Sequence, residues 1–534
     1  MTYNTEPGKP RGAFGDSATS FVHPSANPEV VVHPAHQGYG AQHRLALRAV
    51  ALVLLFSASA VYESLRLSSL TSSDIWVHLR TGTWMLENQA IARTGVFSQY
   101  SNLPWNDATW GFDLLLGVAY RIFGLRAIPL LLMVLKAAIA GIALLLARSG
   151  RGGFWQAVTL SAIAQYILSR IQPLPYVFSI LLFAVELRLL LRSRYSGSVR
   201  ELYPLPVFFL VWANLDAQFV LGLTLLAVFL VTQAIELKLR MLRVSWLSAS
   251  ILPLPFKQVT GIAAVSLLAT CVTPYGYRPL ATFFNASYGD VAFQHLAEMG
   301  AMSFRRPEDY ILMLLIMMGF LALGRRRLLD GFQLLVLLGG TAVAFRIQRD
   351  GWMAVLAAVG VLSTTRFLAR HDEEEQPGAT VVWKWVVVVL TASVVVIAGL
   401  RLPDRSALAN RIRGDFPAAA CDWIRSSGLP QPLFHEYAFG NFLTWYLPRH
   451  PVVIDSRVEL YGDKILSEYF GVVGGKQRLE DDPMIARAGT LLLQRNSAID
   501  KALRNLPALR ARYRLVYGDE LADVFVAQGK DPNH

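Results

Sequence analysis

The sequence predicts a polytopic α-helical membrane protein of about eleven spans that ends in a small soluble α/β domain. Three observations predict it. Apolar residues make up 54% of the 534-residue chain and mean hydropathy is +0.39, outside the range of ordinary soluble composition. Those residues gather into runs near membrane length, parted by short loops in which arginine and lysine cluster. After Leu400 the runs stop, and short helical and strand-like patterns alternate instead.

Taken in order, residues 1–43 are rich in Gly, Pro, Ser, Asn and His and carry no apolar period, so they predict a disordered cytoplasmic tail. Its histidines are too irregularly spaced for a metal site. Apolar spans follow at about 46–65, 127–148, 154–170, 173–191, 204–215, 217–236, 258–273, 310–323, 331–346, 351–366 and 380–400. Several, 204–215 above all, are shorter than a straight crossing needs. These boundaries make 44–400 the membrane domain and 401–534 the soluble one. With the N-terminus inside, the clusters around Arg148, Arg192, Lys238, Arg326 and Arg370 all fall on the cytoplasmic side. The same parity puts Asp74, Trp105, Asp216, Arg349 and everything after Leu400 outside.

The outer loop at 66–126 is organised. DIWVHLRTGTWMLENQ predicts an amphipathic helix and GFDLLLGVAYRIFG a second short one, both expected to lie on the membrane surface as a wall over the first helix exit. In the soluble domain FPAAACDWIRSSG predicts a helix ended by Gly428, PLFHEYAFGNFLTWYL a strand or loop and a helix, PVVIDSR a short buried strand and YGDKILSEYF a helix. GTLLLQ predicts a strand, SAIDKALRNL a helix and YRLVYGDELADVFVA a hairpin across GDE.

Composition also excludes. The formal net charge of +12 sits in the loop clusters rather than on one surface, so nucleic acid is not an expected partner. Two cysteines far apart, Cys271 and Cys421, make neither a disulfide framework nor a thiolate metal site. No cleavage site follows the first apolar run, so the first span is expected to target the chain. No Gly-rich dinucleotide loop, P-loop or HExxH motif occurs.

The chemically loaded stretch is SSDIWVHLRTG, directly after the first span. On a helix Asp74 and His78 share one face, and Trp76 and Arg80 another. Two readings stand at this point. Asp74 and His78 form an acid/base pair where lipid gives way to water, or Asp74 caps a surface helix and Trp76 anchors it at the interface.

The combination of DIWVHLRTGTWMLEN, PWNDATW, WANLDAQFVLG, TPYGY, FGNFLTWYL and VVIDSRVELYGD resembles bacterial membrane glycosyltransferases of the GT-C superfamily, and more narrowly a branch with a small C-terminal α/β domain. The resemblance covers about residues 46–527. It implies a bacterial inner-membrane enzyme with a cytoplasmic N-terminus and a periplasmic C-terminal domain. It would move a sugar from a polyprenyl-phosphate carrier to a glycan, lipid or protein acceptor, without a nucleotide-sugar fold. The superfamily's base, a carboxylate in the first outer loop, corresponds to Asp74. Where related chains carry a His-Glu pair before the second-motif tryptophan, this one has Ala108 and Thr109 before Trp110, and Asp216 stands in place of a histidine in the WANL loop. These departures leave the second catalytic carboxylate unassigned and support no divalent metal or other cofactor.

Such a reaction needs a cation for the donor phosphate, a base for the acceptor and a surface for the sugar. Arg346 and Arg349, in FRIQRDG, offer planar guanidinium groups to a phosphate, against a reading as snorkelling arginines paired with Asp350. Asp74, with His78, would serve as base in an inverting attack. Asp107 and Asp216 are reserve carboxylates, although Asp216 also fits a loop that closes a helical hairpin with Asn214. Trp105 and Trp110 can stack a sugar or mark the interface, and Arg80 completes the substrate-facing set. Arg305 and Arg306 read as a phosphate lure or a solvated loop. His435, Glu436, Asp455 and Arg457 read as packing or docking groups rather than a second active site. A polymerase or ligase of lipid-linked glycans is the rival within the enzymes, and a membrane scaffold with a periplasmic binding domain the rival outside them. Transport ranks third, since the ionisable residues lie at the outer rim and no inverted repeat is visible.

Overall fold

The computed structural model describes residues 34–150, 152–241, 254–285, 291, 295–296, 299–326, 330–365, 377–474 and 478–529. The expected tail therefore lies outside the described residues over 1–33, as do Arg243, Arg327 and Arg370 of the loop clusters. The membrane part is built from α1 (Pro34–Arg66), α2 (Ile75–Asn88), α3 (Trp110–Phe123), α4 (Ala127–Ala147), α5 (Phe154–Ile167), α6 (Tyr176–Ser196) and α7 (Leu205–Ala213). It continues with α8 (Phe219–Met241), α9 (Phe256–Ala269), α10 (Arg278–Asn285), α11 (Pro307–Gly324), α12 (Gly331–Arg346), α13 (Trp352–Ser363) and α14 (Pro377–Leu400). Each of the eleven apolar segments forms a helix. Among the described residues five stretches are long and apolar enough to cross a membrane: Gln42–Arg66, Trp110–Ala147, Phe219–Met241, Pro307–Gly324 and Val381–Leu400.

Among the shorter helices, α13 is apolar because protein surrounds it. Apart from Met353, every residue of α13 is buried, the pattern of a helix that is hydrophobic all round. Trp352 meets Phe183 of α6 edge-on at 5.2 Å, and Phe229 of α8 meets Phe332 of α12 in the same way. The chain leaves α1 through Leu67, whose φ of 52° is left-handed. Glu63 holds that turn: it is buried, accepts from the Ser69 amide at 2.8 Å and pairs with Lys136 of α4 at 3.2 Å.

One expectation is corrected here. GFDLLLGVAYRIFG is not a separate surface helix. A short helical turn at Gly124–Arg126 joins α3 to α4, and the joined stretch Trp110–Ala147 is one of the five long apolar ones.

After Leu400 come α15 (Arg405–Asp415), α16 (Ala418–Ser427), β1 (Leu433–His435), α17 (Tyr437–Tyr446), α18 (Val458–Val473), α19 (Pro483–Arg487), β2 (Thr490–Gln494), α20 (Ala498–Asn505), α21 (Pro507–Arg512), β3 (Tyr513–Gly518) and β4 (Ala522–Ala527). Gly428 ends α16 in the left-handed conformation (φ 58°), as its position predicts. The strands form one sheet in the order β1-β2-β4-β3, parallel between β1 and β2 and antiparallel elsewhere. PVVIDSR is buried but is not a strand of this sheet: Val452 makes a single bridge to Ser98 of the outer loop. Its apolar residues face the seam between loop and domain. Arg48–His534 form one compact unit, and of Met1–Leu47 the described residues belong to the start of α1.

Candidate active site

Two glycines set the geometry. A Cβ on Gly82 of α2 would fall 1.8 Å from the carbonyl oxygen of Asp113, and one on Gly117 of α3 would fall 2.6 Å from the carbonyl carbon of Gly82. The helices therefore touch backbone to backbone. One turn before each glycine stand His78 and Asp113, and Nδ1 of His78 lies 2.7 Å from Oδ1 of Asp113. Phe112 meets the imidazole edge-on at 5.4 Å. Burial pulls the His78 pKa below its ordinary value, against the charges of Asp107, Asp74, Glu459 and Asp216.

Asp107 sits beside this pair. Its Oδ1 accepts from the Thr109 amide at 2.9 Å and the Thr109 hydroxyl at 2.8 Å. Burial and then the neighbouring Asp113 carboxylate push its pKa up to about 8, so it carries a proton at neutral pH. The carboxyls of Asp107 and Asp113 lie within hydrogen-bonding reach of each other, an arrangement satisfied when one of them is protonated.

The next wall comes from the WANL loop. Trp110 donates through Nε1 to Asn214 at 2.9 Å, and the Gly111 amide donates to the Asn214 carbonyl at 3.0 Å. Asp216 accepts from the Ser179 hydroxyl, which itself accepts from Trp212 at 2.6 Å. Burial pushes Asp216 up to about 6, opposed by Ser179 and by the charge of Arg349. Arg349 reaches Asp350 only at 3.8 Å through Nε, while Asp350 accepts from Gln218 at 2.8 Å.

Arg349 also lines a cavity of about 400 Å³ together with Gln348, Arg306, Arg170, Gln172 and Trp352. That is the size range of small-ligand pockets. Ser72 donates to Gln172 at 2.9 Å, so the cavity wall is tied to the residue two before Asp74. Arg170 pairs with Glu308 at 3.0 Å. Arg346 is exposed and does not line the cavity, which separates the two arginines of FRIQRDG by position. Arg305 is likewise exposed, and Arg306 is the one of that pair on the cavity wall.

Asp74 itself makes no side-chain cap to its helix, so the capping reading fails. Its Oδ1 accepts instead from Ser73 at 3.0 Å and from Asn441 Nδ2 of the C-terminal domain at 2.7 Å. Nor is Trp76 an interfacial anchor: it is fully buried, stacked on Trp445 at 4.5 Å, with Phe416 and Phe442 edge-on at 5.7 Å. Arg80 lies over Phe97 at 5.2 Å and reaches Glu87 at 3.3 Å.

Trp105 is enclosed rather than presented. It is 4% exposed, donates to Glu459 at 2.9 Å and carries the Arg457 guanidinium 4.8 Å from its ring. Arg457 grips Asp455 with two nitrogens, at 2.6 and 2.9 Å, and donates to the Val96 carbonyl at 2.8 Å, so the VVIDSR residues clamp the outer loop. His435 is also structural: it accepts the Val453 amide through Nε2 at 3.1 Å, and burial lowers its pKa to about 4.

The sequence thus named Asp74, His78, Asp107, Asp216 and Arg349, which share one region, and missed Asp113, Arg170 and Asn441. For Asp113 the available signal was the small-residue pair Gly82 and Gly117, which permits a close crossing. Among the described residues no three His, Cys, Asp or Glu side chains converge closely enough to hold a metal ion.

This arrangement, a helical bundle with its polar centre beside a small α/β part, is a fold shared with solved membrane-protein structures. An oligosaccharyltransferase of Archaeoglobus fulgidus in the apo form is similar over 93% of this chain and 75% of that one, at 11% identity and a TM-score of 0.50. ArnT from Cupriavidus metallidurans bound to undecaprenyl phosphate is similar over 91% of this chain and 98% of that one, at 13% identity and a TM-score of 0.48. At such identities the likeness is one of fold. No family model matches the sequence, and no curated protein matches it.

Proposed function

We propose that the chain is a glycosyltransferase that moves a sugar from a polyprenyl-phosphate carrier to an acceptor hydroxyl, with inversion, on the periplasmic face of the bacterial inner membrane. The observation that carries this reading is the coupling of an acid cluster at the exit of α1 to a guanidinium-lined cavity. Asp74 takes the proton of the acceptor hydroxyl as its oxygen bonds to the anomeric carbon. The bond from that carbon to the phosphate oxygen breaks, and Arg349, with Arg306 on the same cavity wall, stabilises the charge left on the phosphate. His78, held by Asp113, and the protonated Asp107 set the field around the base.

The test is the release of undecaprenyl phosphate, read by mass spectrometry, from a panel of undecaprenyl-phosphate sugars offered with membrane-extract acceptors to the full chain in nanodiscs. Wild type should turn over one donor. Asp74→Asn should keep its unfolding temperature and donor binding and lose about a hundredfold or more in transfer, as for a positioned general base. Undiminished transfer in Asp74→Asn would remove it as the base. A wild type that turns over none of the panel would return the chain to the scaffold reading.

A further inference from the structure

Asp74 lies at the start of α2, and the group that holds it comes from 367 residues further along the chain. Asn441 is 1% exposed, and its amide can present either an oxygen or a nitrogen to a neighbour. The surroundings decide which. The Ser456 backbone N–H donates to Asn441 Oδ1 at 2.9 Å, which leaves Nδ2 to face Asp74, where it donates at 2.7 Å.

The position of Ser456 is fixed in turn. A Cβ on Gly440 would fall 2.1 Å from the Ile454 carbonyl oxygen, so α17 lies directly against the backbone of that segment. His435 pins the same segment by accepting the Val453 amide. A second contact crosses the same seam: Trp445, one turn after Asn441, stacks on Trp76, two residues after Asp74. The amide donor is therefore rigid at both ends, and rigid donors of this kind are how a site holds a reacting group in one orientation.

We propose that Asn441 is a positioning residue for Asp74: the C-terminal domain supplies, through this amide, the donor that keeps the carboxylate charged and oriented, so that the base is complete only with the domain in place. The inference rests on the reading of Asp74 as the base. The amide orients the carboxylate and adds no charge of its own. The groups that act on the same neighbourhood are His78 on α2 and the acids whose charges act on it: Asp107 in the 66–126 loop, Glu459 on α18 and Asp216 in the WANL loop.

The experiment needs no donor. Carbodiimide couples an amine to the protonated form of a carboxyl, so the pH dependence of coupling at Asp74, read by peptide mass spectrometry on the full chain in nanodiscs, gives the midpoint of its titration. Loss of a donor to the charged form raises that midpoint. Asn441→Ala should move it up by about one pH unit, a roughly tenfold increase in coupling at a fixed pH above the midpoint. Asn441→Asp keeps the shape, so it guards against misfolding; its added negative charge should move the midpoint further in the same direction. Coupling at Asp481, an exposed control, should stay unchanged. An unmoved Asp74 midpoint in Asn441→Asp, with the protein folded, overturns the proposal even where Asp74→Asn has lost transfer. Conversely, a moved midpoint beside undiminished transfer in Asp74→Asn overturns the base reading and, with it, the positioning role.

Discussion

Two buried charge clusters occupy different parts of this molecule, and they are balanced in opposite ways. At one, Arg194 of α6 is fully buried and meets Glu236 of α8 at 2.7 Å and Asp330 at 3.1 Å, while Asp330 also caps α12 by accepting from Gln333. Each carboxylate has the guanidinium, and the guanidinium has both. At the other, the charges of Asp74, Asp107, Asp216 and Glu459 act on His78, which meets Asp113 at 2.7 Å, and Arg349 lies 3.8 Å from Asp350. There the acids outnumber the cations, and the imbalance is met by bound protons. A matched cluster holds helices together; an unmatched one holds exchangeable protons. That asymmetry is why the proposed chemistry is assigned to the second.

The comparison can be broken most forcefully at its first member. Arg194→Ala strands two buried carboxylates and should cost about 3–5 kcal/mol of stability, read as a lowered unfolding temperature in nanodiscs. A loss below about 1 kcal/mol would mean that the matched cluster is not a fastening. At the second member the sign should reverse. Asp113→Asn removes an acid from an overcrowded group, so the unfolding temperature should hold or rise while transfer falls about tenfold or more through loss of the carboxyl that holds His78. Parallel loss of stability and transfer would erase the distinction.

Arg349 and Arg346 sharpen the comparison at the cavity. Arg349→Lys should weaken donor binding about tenfold, because a point charge cannot reproduce the planar two-point fork. Arg346→Lys should change it little, since Arg346 does not line the cavity; binding to vesicles carrying undecaprenyl phosphate separates the two.

The smallest effect is a pH dependence. Asp107 has a folded pKa of about 8, above the ordinary carboxylate value, so between those limits the unfolded chain ionises while the folded one stays protonated. The stability this protonation provides is fully present in acid and is lost as pH rises toward about 8. Asp107→Asn has no such proton to lose. Its unfolding temperature should gain on wild type by on the order of a few degrees from pH 5 to pH 8, measured by thermal scans. A gap that closes with rising pH would reverse the assignment of the proton.

Hydropathy made the helices legible, because lipid and a helical core impose the same demand on composition; hence α13 reads as a span although protein buries nearly all of it. The short elements after Leu400 were legible from turn residues and from alternation. The site was half legible. Asp74 and His78 stood out by spacing on one helix, yet the side chains that meet them, Asn441 and Asp113, come from elsewhere in the chain. Nothing local announces a partner that depends on a helix crossing, except the two glycines that allow it. Trp76 misled for a related reason: an aromatic residue beside a membrane span reads as interfacial until another domain is seen to cover it.

The contact between Asn441 and Asp74 also orders events in time. Synthesis runs from the N-terminus, so α1 and α2 exist long before α17 does, and the outer loop waits for Arg457 and Glu459 to close over it. A nascent chain can thus enter the bilayer helix by helix while its carboxylate still lacks the amide made near the end of translation. Insertion and competence become separate milestones, and a chain that stops before residue 441 reaches only the first.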